Sequence, residues 1–204
     1  MTSRGDDRQK VSEICTEWWR GLNGLDTETG EEHGAPDRAA IAKLRRIGTV
    51  TVGGREEMDT ATQLGNYAPL YARLKPFWPY REQDDFAQAV AVVAGTLARV
   101  RTAADGTTTA ALLGAQRDEN KRLMQEERFK RLVRTRSWAE LHARGRRIVH
   151  LLGHTAPVGE LGASLFFWFA GPHVIRDWSL AYYDLDENPD TVLPAAISVS
   201  AASS

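Results

Sequence analysis

With 204 residues, 42% of them hydrophobic and 26% charged, the chain has the length and composition to bury a substantial core. Its net charge of -1 gives no overall attraction to a polyanion, its single cysteine, Cys15, excludes an internal disulfide, and the charged opening MTSRGDDRQK holds no apolar signal core. The longest apolar stretch, 87–100, is broken by Gln88, Gly95, Thr96 and Arg99 and is too short to cross a bilayer, so a soluble, cytoplasmic chain is the expectation.

Apolar residues recur at helical spacing along most of the chain. Val11, Ile14, Cys15, Trp18 and Leu22 form the first stripe. A loop rich in glycine and acids covers 24–36, and Asp37 then serves as N-cap to a helix over 38–47. Residues 49–52 alternate as a short strand does, and Gly53 and Gly54 open a polar stretch, expected to be mobile, that runs to Asn66. Pro76 and Pro79 bracket a turn that holds Phe77 and Trp78. The strongest core helix spans 84–100, with Phe86, Val90, Val93, Leu97 and Val100 on one stripe.

Gly106 interrupts a Thr/Ala-rich stretch and marks the expected boundary between two halves. Helices are predicted over 110–124, 126–136 and 138–152, the last restarted by the capping-box pair Ser137 and Glu140. Pro157 and Pro172 separate two further apolar helices, 161–170 and 174–183. The predicted fold class is therefore all-α, with two helical bundles packed in one elongated subunit. The first covers 1–105 and the second 106–185, and a tail over 186–204, carrying Pro189 and Pro194, is expected to be flexible.

Motifs for chemistry are mostly missing. There is no Gly-rich phosphate loop, no dinucleotide-binding turn, no nucleophile elbow and no H-E-x-x-H pair. His150 and His154 have the spacing to share a metal, but Gly153 lies between them and no carboxylate stands nearby, so they read as two histidines near a helix end. Asp184, Asp186 and Asn188 open like a calcium loop, yet Pro189 replaces the required glycine and Ala195 stands where the bidentate glutamate belongs. Cys15 sits on an apolar stripe as a small core residue. No catalytic residue, metal ligand or cofactor is expected.

Local charge is the positive signal. Between Arg128 and Arg147 there are eight Arg or Lys residues and one acid, Glu140, a net +7 that leaves the rest of the chain at -8. At about 100° per residue, Phe129, Leu132 and Val133 share one helix face while Arg128, Lys130, Arg131 and Arg134 cover the opposite arc. In the next helix Leu141, Ile148 and Leu152 face inward, flanked by Arg144 and Arg147, and His142, Arg146 and His150 form another stripe. The earlier helix repeats the plan, with Ile41, Leu44 and Ile47 against Arg38, Lys43, Arg45 and Arg46 and no acid between Arg38 and Arg55.

Solvated helix faces usually mix signs, because like charges held together cost stability unless a polyanion neutralises them. Arginine dominates these runs, and its planar fork suits phosphate. The basic residues named above are therefore the expected nucleic-acid contacts, through the phosphate backbone. A membrane surface is the weaker rival, since the apolar stripes are core-like and not rimmed by aromatics. Two other readings stand beside it: a helical adaptor that binds only protein, with no direct nucleic-acid contact, and a small helical enzyme using His150, His154 or the late acids.

Six short segments in a fixed order carry a family likeness: EWW at 17–19, RAAIAKLRR at 38–46, YARLKPF at 71–77, EERFKRLV at 126–133, RRIVHLL at 146–152 and WSLAYY at 178–183. Together they resemble the small subunit of the type I-E CRISPR Cascade surveillance complex, the CasB family. The family's Gly-x-x-L-x-x-L pattern is replaced by TTAALLGAQ, and the insert 53–65 and the tail after Asp186 have no family counterpart. The resemblance implies a two-bundle helical subunit without catalytic activity. It further implies two copies packed along the inside of a curved protein–RNA filament, touching the backbone and large subunits. There they line the path of guide RNA and target DNA and stabilise the R-loop, while base pairing reads the sequence. By position, Arg45 and Arg46 fall on the paired basic residues of the first bundle, and Arg128, Arg131, Arg134, Arg146 and Arg147 on those of the second.

Overall fold

The computed structural model describes residues 4–79, 83–118 and 121–185. At its centre lies α4 (Gln83–Leu97), in which residues 89–97 carry nothing charged and nothing larger than leucine. A helix apolar all round has no face to give to water, and Ala89, Val90, Ala91, Val92, Val93 and Ala94 are all fully buried. Three helices pack directly on it: α3 (Thr60–Leu74), α7 (Trp138–Leu151) and α8 (Val158–Phe166). The N-terminal α1 (Arg4–Leu22) lies across α8 and α3, and α2 (Arg38–Arg45) leans on α3 and α4.

Local chemistry starts and stops these elements. Asp37 caps α2 by accepting from the Ala40 N–H, Asp59 caps α3 by accepting from the Thr62 N–H, and Ser137 Oγ caps α7 by accepting from the Glu140 N–H. Between α2 and α3 the chain forms a hairpin of β1 (Thr49–Val52) and β2 (Arg55–Met58). Its two-residue turn holds Gly53 and Gly54 at φ +55 and +80, which only glycine adopts readily. Met58 anchors the hairpin, its side chain buried and its N–H donating to Gln88 Oε1 at 3.2 Å. Inside α3 the helix bends at Tyr67, two residues ahead of Pro69, and α3 leads into a 3-10 turn, Lys75–Phe77.

A second group of helices lies to one side. Here α5 (Thr109–Gly114) packs on α9 (Pro172–Tyr183) so closely that a Cβ on Gly114 would lie 2.1 Å from the Tyr182 carbonyl oxygen. A small hairpin, β4 (Gln116–Asp118) and β5 (Lys121–Arg122), follows, and then α6 (Glu126–Val133). Phe129 of α6 stacks on Tyr182 at 3.8 Å between ring centroids, and the Tyr182 hydroxyl donates to the Met124 carbonyl at 2.7 Å. A short parallel pairing of β3 (Thr102–Ala103) with β6 (Thr155–Ala156) ties the chain after α4 to the chain after α7.

The class is mainly α, with short strands among the described residues, and the predicted core stripe of Phe86, Val90, Val93, Leu97 and Val100 is buried throughout. Several particulars differ from expectation. The helix predicted over 110–124 ends at Gly114, where the close carbonyl of Tyr182 admits no side chain and the chain turns into the β4–β5 hairpin. The polar stretch 53–66, expected to be mobile, holds a turn, a strand and the start of α3. Trp19 rather than Trp18 fills the core from α1, its indole donating to the Val100 carbonyl. On either side of Gly106, the expected boundary, helices are in contact: α1 sits on α8, and α4 on α7 and α8, around one apolar core. The expected flexible tail, 186–204, lies outside the described residues.

Close approach of α1 to α8 depends on small residues. A Cβ on Gly162 would lie 2.6 Å from Cys15 Sγ and 2.8 Å from Cys15 Cβ. Cys15 is fully buried, and burial pushes its thiol up to about 12, so it serves as packing. Gly162→Ala is expected to lower the unfolding free energy of the chain by about 1–3 kcal/mol through overpacking, measured by urea denaturation. A stability equal to wild type would show that α1 is not held this close.

Candidate nucleic-acid interface

The site begins with how α7 meets α4. A Cβ on Gly95 of α4 would lie 2.8 Å from His142 Nε2, and one on Gly145 of α7 would lie 2.8 Å from Thr96 Oγ1. The two helices therefore press together at reciprocal glycines. That contact buries Leu141, His142, Gly145, Ile148 and Val149 and leaves Arg146, Arg147 and His150 exposed on the outer side of α7.

Arginine anchors fix the ends of the neighbouring helices to this face. Arg45, at the end of α2, donates from Nε to the Ala98 carbonyl at 2.8 Å. Arg99, just beyond α4, donates to the Gly95 carbonyl and, across the gap, to the Arg45 carbonyl. Each guanidinium meets carbonyls at a helix C-terminus, the end where the peptide dipoles favour a cation. His154, at φ 67, lies with Nδ1 2.9 Å from the Arg99 carbonyl, and its own carbonyl accepts from the Arg101 N–H at 2.8 Å.

These elements enclose a groove of about 1040 Å³. Arg45, Arg99 and Arg101 come from one side, Arg128 and Arg131 of α6 from another, and Arg144, Arg146, Arg147 and His150 from α7, with His154 at the end. That makes eight arginines, and no carboxylate lines the groove among the described residues. The electrostatic strain is visible in the side chains. Burial, and then the charges of Arg146 and Arg45, hold Arg99 down at about 10, and Arg45 is lowered by burial and by Arg101.

Of the sequence-expected contacts, Arg45, Arg128, Arg131, Arg144, Arg146 and Arg147 line this groove. Arg144 also pairs with Glu140 one turn back. Lys130 stands apart, bonded to Glu126 at 2.8 Å and Glu127 at 3.2 Å, with its pKa raised chiefly by the Glu126 bond. Arg38, Lys43, Arg46 and Arg134 are exposed and stand outside the groove lining. Sequence reading missed Arg99, Arg101 and His154. The available signal was a pair of arginines just after the end of a helix whose last three turns carry no charge. The two histidines stand 5.8 Å apart between ring centroids, and no cluster of three metal-ligating side chains occurs among the described residues.

Fold and groove together define a class: a mainly α-helical protein that presents a concave, arginine-lined face. Residues 40–183 match the family model described as CRISPR-associated protein Cse2. The chain belongs to that family, the small-subunit family of type I-E Cascade, as the order of its sequence motifs implied. No curated protein and no solved structure matches it. No helix among the described residues is long and apolar enough to cross a membrane.

His142 reports on the charge of this region. It is 2% exposed, its Nε2 meets no partner, and burial first, then Arg99 and Arg146, hold its pKa down at about 3. An unfolded imidazole takes its proton near about 6.5, so below that pH the unfolded chain binds more protons than the folded one. This part of the stability is complete above about pH 6.5 and is lost as pH falls toward 3. The denaturant midpoint is expected to drop between about pH 7 and pH 5, and His142→Leu to flatten much of that slope. An unchanged slope in the variant would show that His142 is free to protonate in the folded state.

Proposed function

We propose that this chain is a non-catalytic small subunit that holds nucleic acid by its phosphate backbone in the arginine groove, and so stabilises an R-loop within a guide-RNA complex. One observation carries the reading: eight arginines from α6, α7 and the ends of α2 and α4 converge with no carboxylate among them. Such a concentration of like charge is unfavourable in water alone and favourable around a polyanion. Guanidinium groups match phosphate oxygens in pairs, and phosphate contacts position a strand without reading its bases. The tryptophans argue against stacking platforms: Trp19, Trp138, Trp168 and Trp178 are buried in the core.

The groove separates the basic residues into two sets. Arg128, Arg131, Arg146 and Arg147 are the direct phosphate contacts in this reading, while Arg38, Lys43, Arg46, Lys130 and Arg134 contribute to a more distant field or meet a different strand. Guide RNA and target DNA are the nucleic-acid partners, and a second copy of the chain, the backbone subunits and the large subunit are the protein partners. The two units implied by the resemblance are read as a larger lobe built on α4 and a smaller one of α5, α6 and α9.

The test is binding of unrelated single strands over a salt series, by the assembled complex and by the subunit where it binds alone. With four to six side chains engaged, the slope of log affinity against log salt is expected at roughly -3 to -4, at about -0.7 per phosphate. Arg131→Glu with Arg147→Glu is expected to make the slope shallower by about 1.4 or more and to weaken all sequences alike. Arg38→Glu with Arg134→Glu is expected to change it far less. Equal effects from the two pairs, or a strong preference for one base sequence, would overturn the groove reading.

A further inference from the structure

We infer that the outer edge of β1 is a docking site for an extended segment of a neighbouring protein subunit, which adds to the β1–β2 hairpin as a third strand. The inference rests on family membership for the existence of an assembly, and it is independent of the groove. Val52 and Arg55 close the two-residue turn, and Val50 pairs with Glu57, so Val50 and Val52 direct their backbone groups toward β2. Thr49 and Thr51 direct theirs the other way, and among the described residues the sheet has only these two strands. β2 is the strand packed on α4 and α7, which leaves the edge of β1 outermost.

That edge lacks the usual protection. It reads Thr-Val-Thr-Val, with no charge, no proline and no bulge, although exposed edges normally carry such features against unwanted pairing. Val50 and Val52, 41% and 51% exposed, lie on one face opposite Glu57 and Arg55, so on that face the row of side chains next to a third strand is apolar and the charges stand one strand further in. The occupant follows from charge and area. The adjoining strand carries Glu56 and Glu57 against Arg55, a net negative charge that disfavours phosphate and argues for protein, with alternating apolar side chains and a basic flank. Four residues of edge fall well short of the roughly 800 Å² per partner that a free-standing interface needs. The contact therefore suits a subunit already held by other surfaces of the assembly, and not a dimer of this chain alone.

Two variants test it. Val50→Asp with Val52→Asp disrupts the apolar face, and Thr51→Pro removes an outward N–H while leaving the bonds to β2 intact. Each is combined with the backbone subunits, the large subunit and guide RNA, and incorporation is read by native mass spectrometry. Circular dichroism and single-strand affinity of the free chain are measured alongside. Expected is a loss of incorporation of about tenfold for both variants, with spectrum and affinity unchanged. Normal incorporation of both variants overturns the inference. So does a wild-type dimer in sedimentation that both variants abolish, since the occupant is then a second copy, and so does a parallel loss of single-strand affinity. The groove reading is tested apart from this, by the salt series on Arg131→Glu with Arg147→Glu in the free chain, whose β1 edge is unaltered.

Discussion

The contact on which the candidate site depends is the crossing of α4 and α7 at Gly95 and Gly145. With no side chain at either position, the helices approach until His142 and Thr96 occupy the space a methyl group would need. Residues 89–97 of α4 are buried on every side, so α7 is positioned against them, and the outer face of α7 is the wall that carries Arg144, Arg146, Arg147 and His150. The same crossing brings α7 against the C-terminal end of α4, where Arg99 emerges. Depth and width of the groove are thus set by a backbone contact in the core and not by the charged side chains themselves.

The arginines of the groove perform different tasks. Arg45 and Arg99 have donors engaged by helix-end carbonyls, which holds α2 to α4 and presents positive charge from a fixed place. Arg128, Arg131, Arg146 and Arg147 are exposed on helix faces and are available to a ligand. Two basic residues of the same helices are partly neutralised by acids one turn away, Lys130 by Glu126 and Glu127, and Arg144 by Glu140. Exposed pairs of this kind contribute little to stability, yet they lower the local field. Charge counts along the sequence therefore overstate the number of effective cations on α6.

Legibility of the fold followed the periodicity of each segment. The wholly apolar run at 89–97 and the amphipathic run of α6 allow one placement, so their cores were readable from spacing alone. Trp18 and Trp19 stand side by side, and a one-residue uncertainty in helix phase decides which is buried; only the bond from Trp19 to Val100 settles it. The close approach at Gly114 was hidden because its partner, the Tyr182 carbonyl, lies far along the chain. Arg128, Arg131, Arg146 and Arg147 were visible as runs on helix faces. Arg99, Arg101 and His154 were not, because they flank different helices and meet only when β3 pairs with β6 and the chain folds back. Convergence of distant segments is a property of topology, which local pattern does not encode.

The concentration of like charge has a consequence for the lifetime of the protein. An empty groove keeps eight guanidinium groups close together, of which Arg144 has a carboxylate partner in Glu140, and the repulsion among the others raises the free energy of the folded form. An anion that binds only the folded chain removes that repulsion and stabilises the fold in proportion to the logarithm of its occupancy. The chain is therefore better folded when filled than when free. A chain whose groove stays empty is then open for a larger share of the time and is the easier substrate for a protease, so the cluster of charge ties the persistence of the fold to whatever anion fills it.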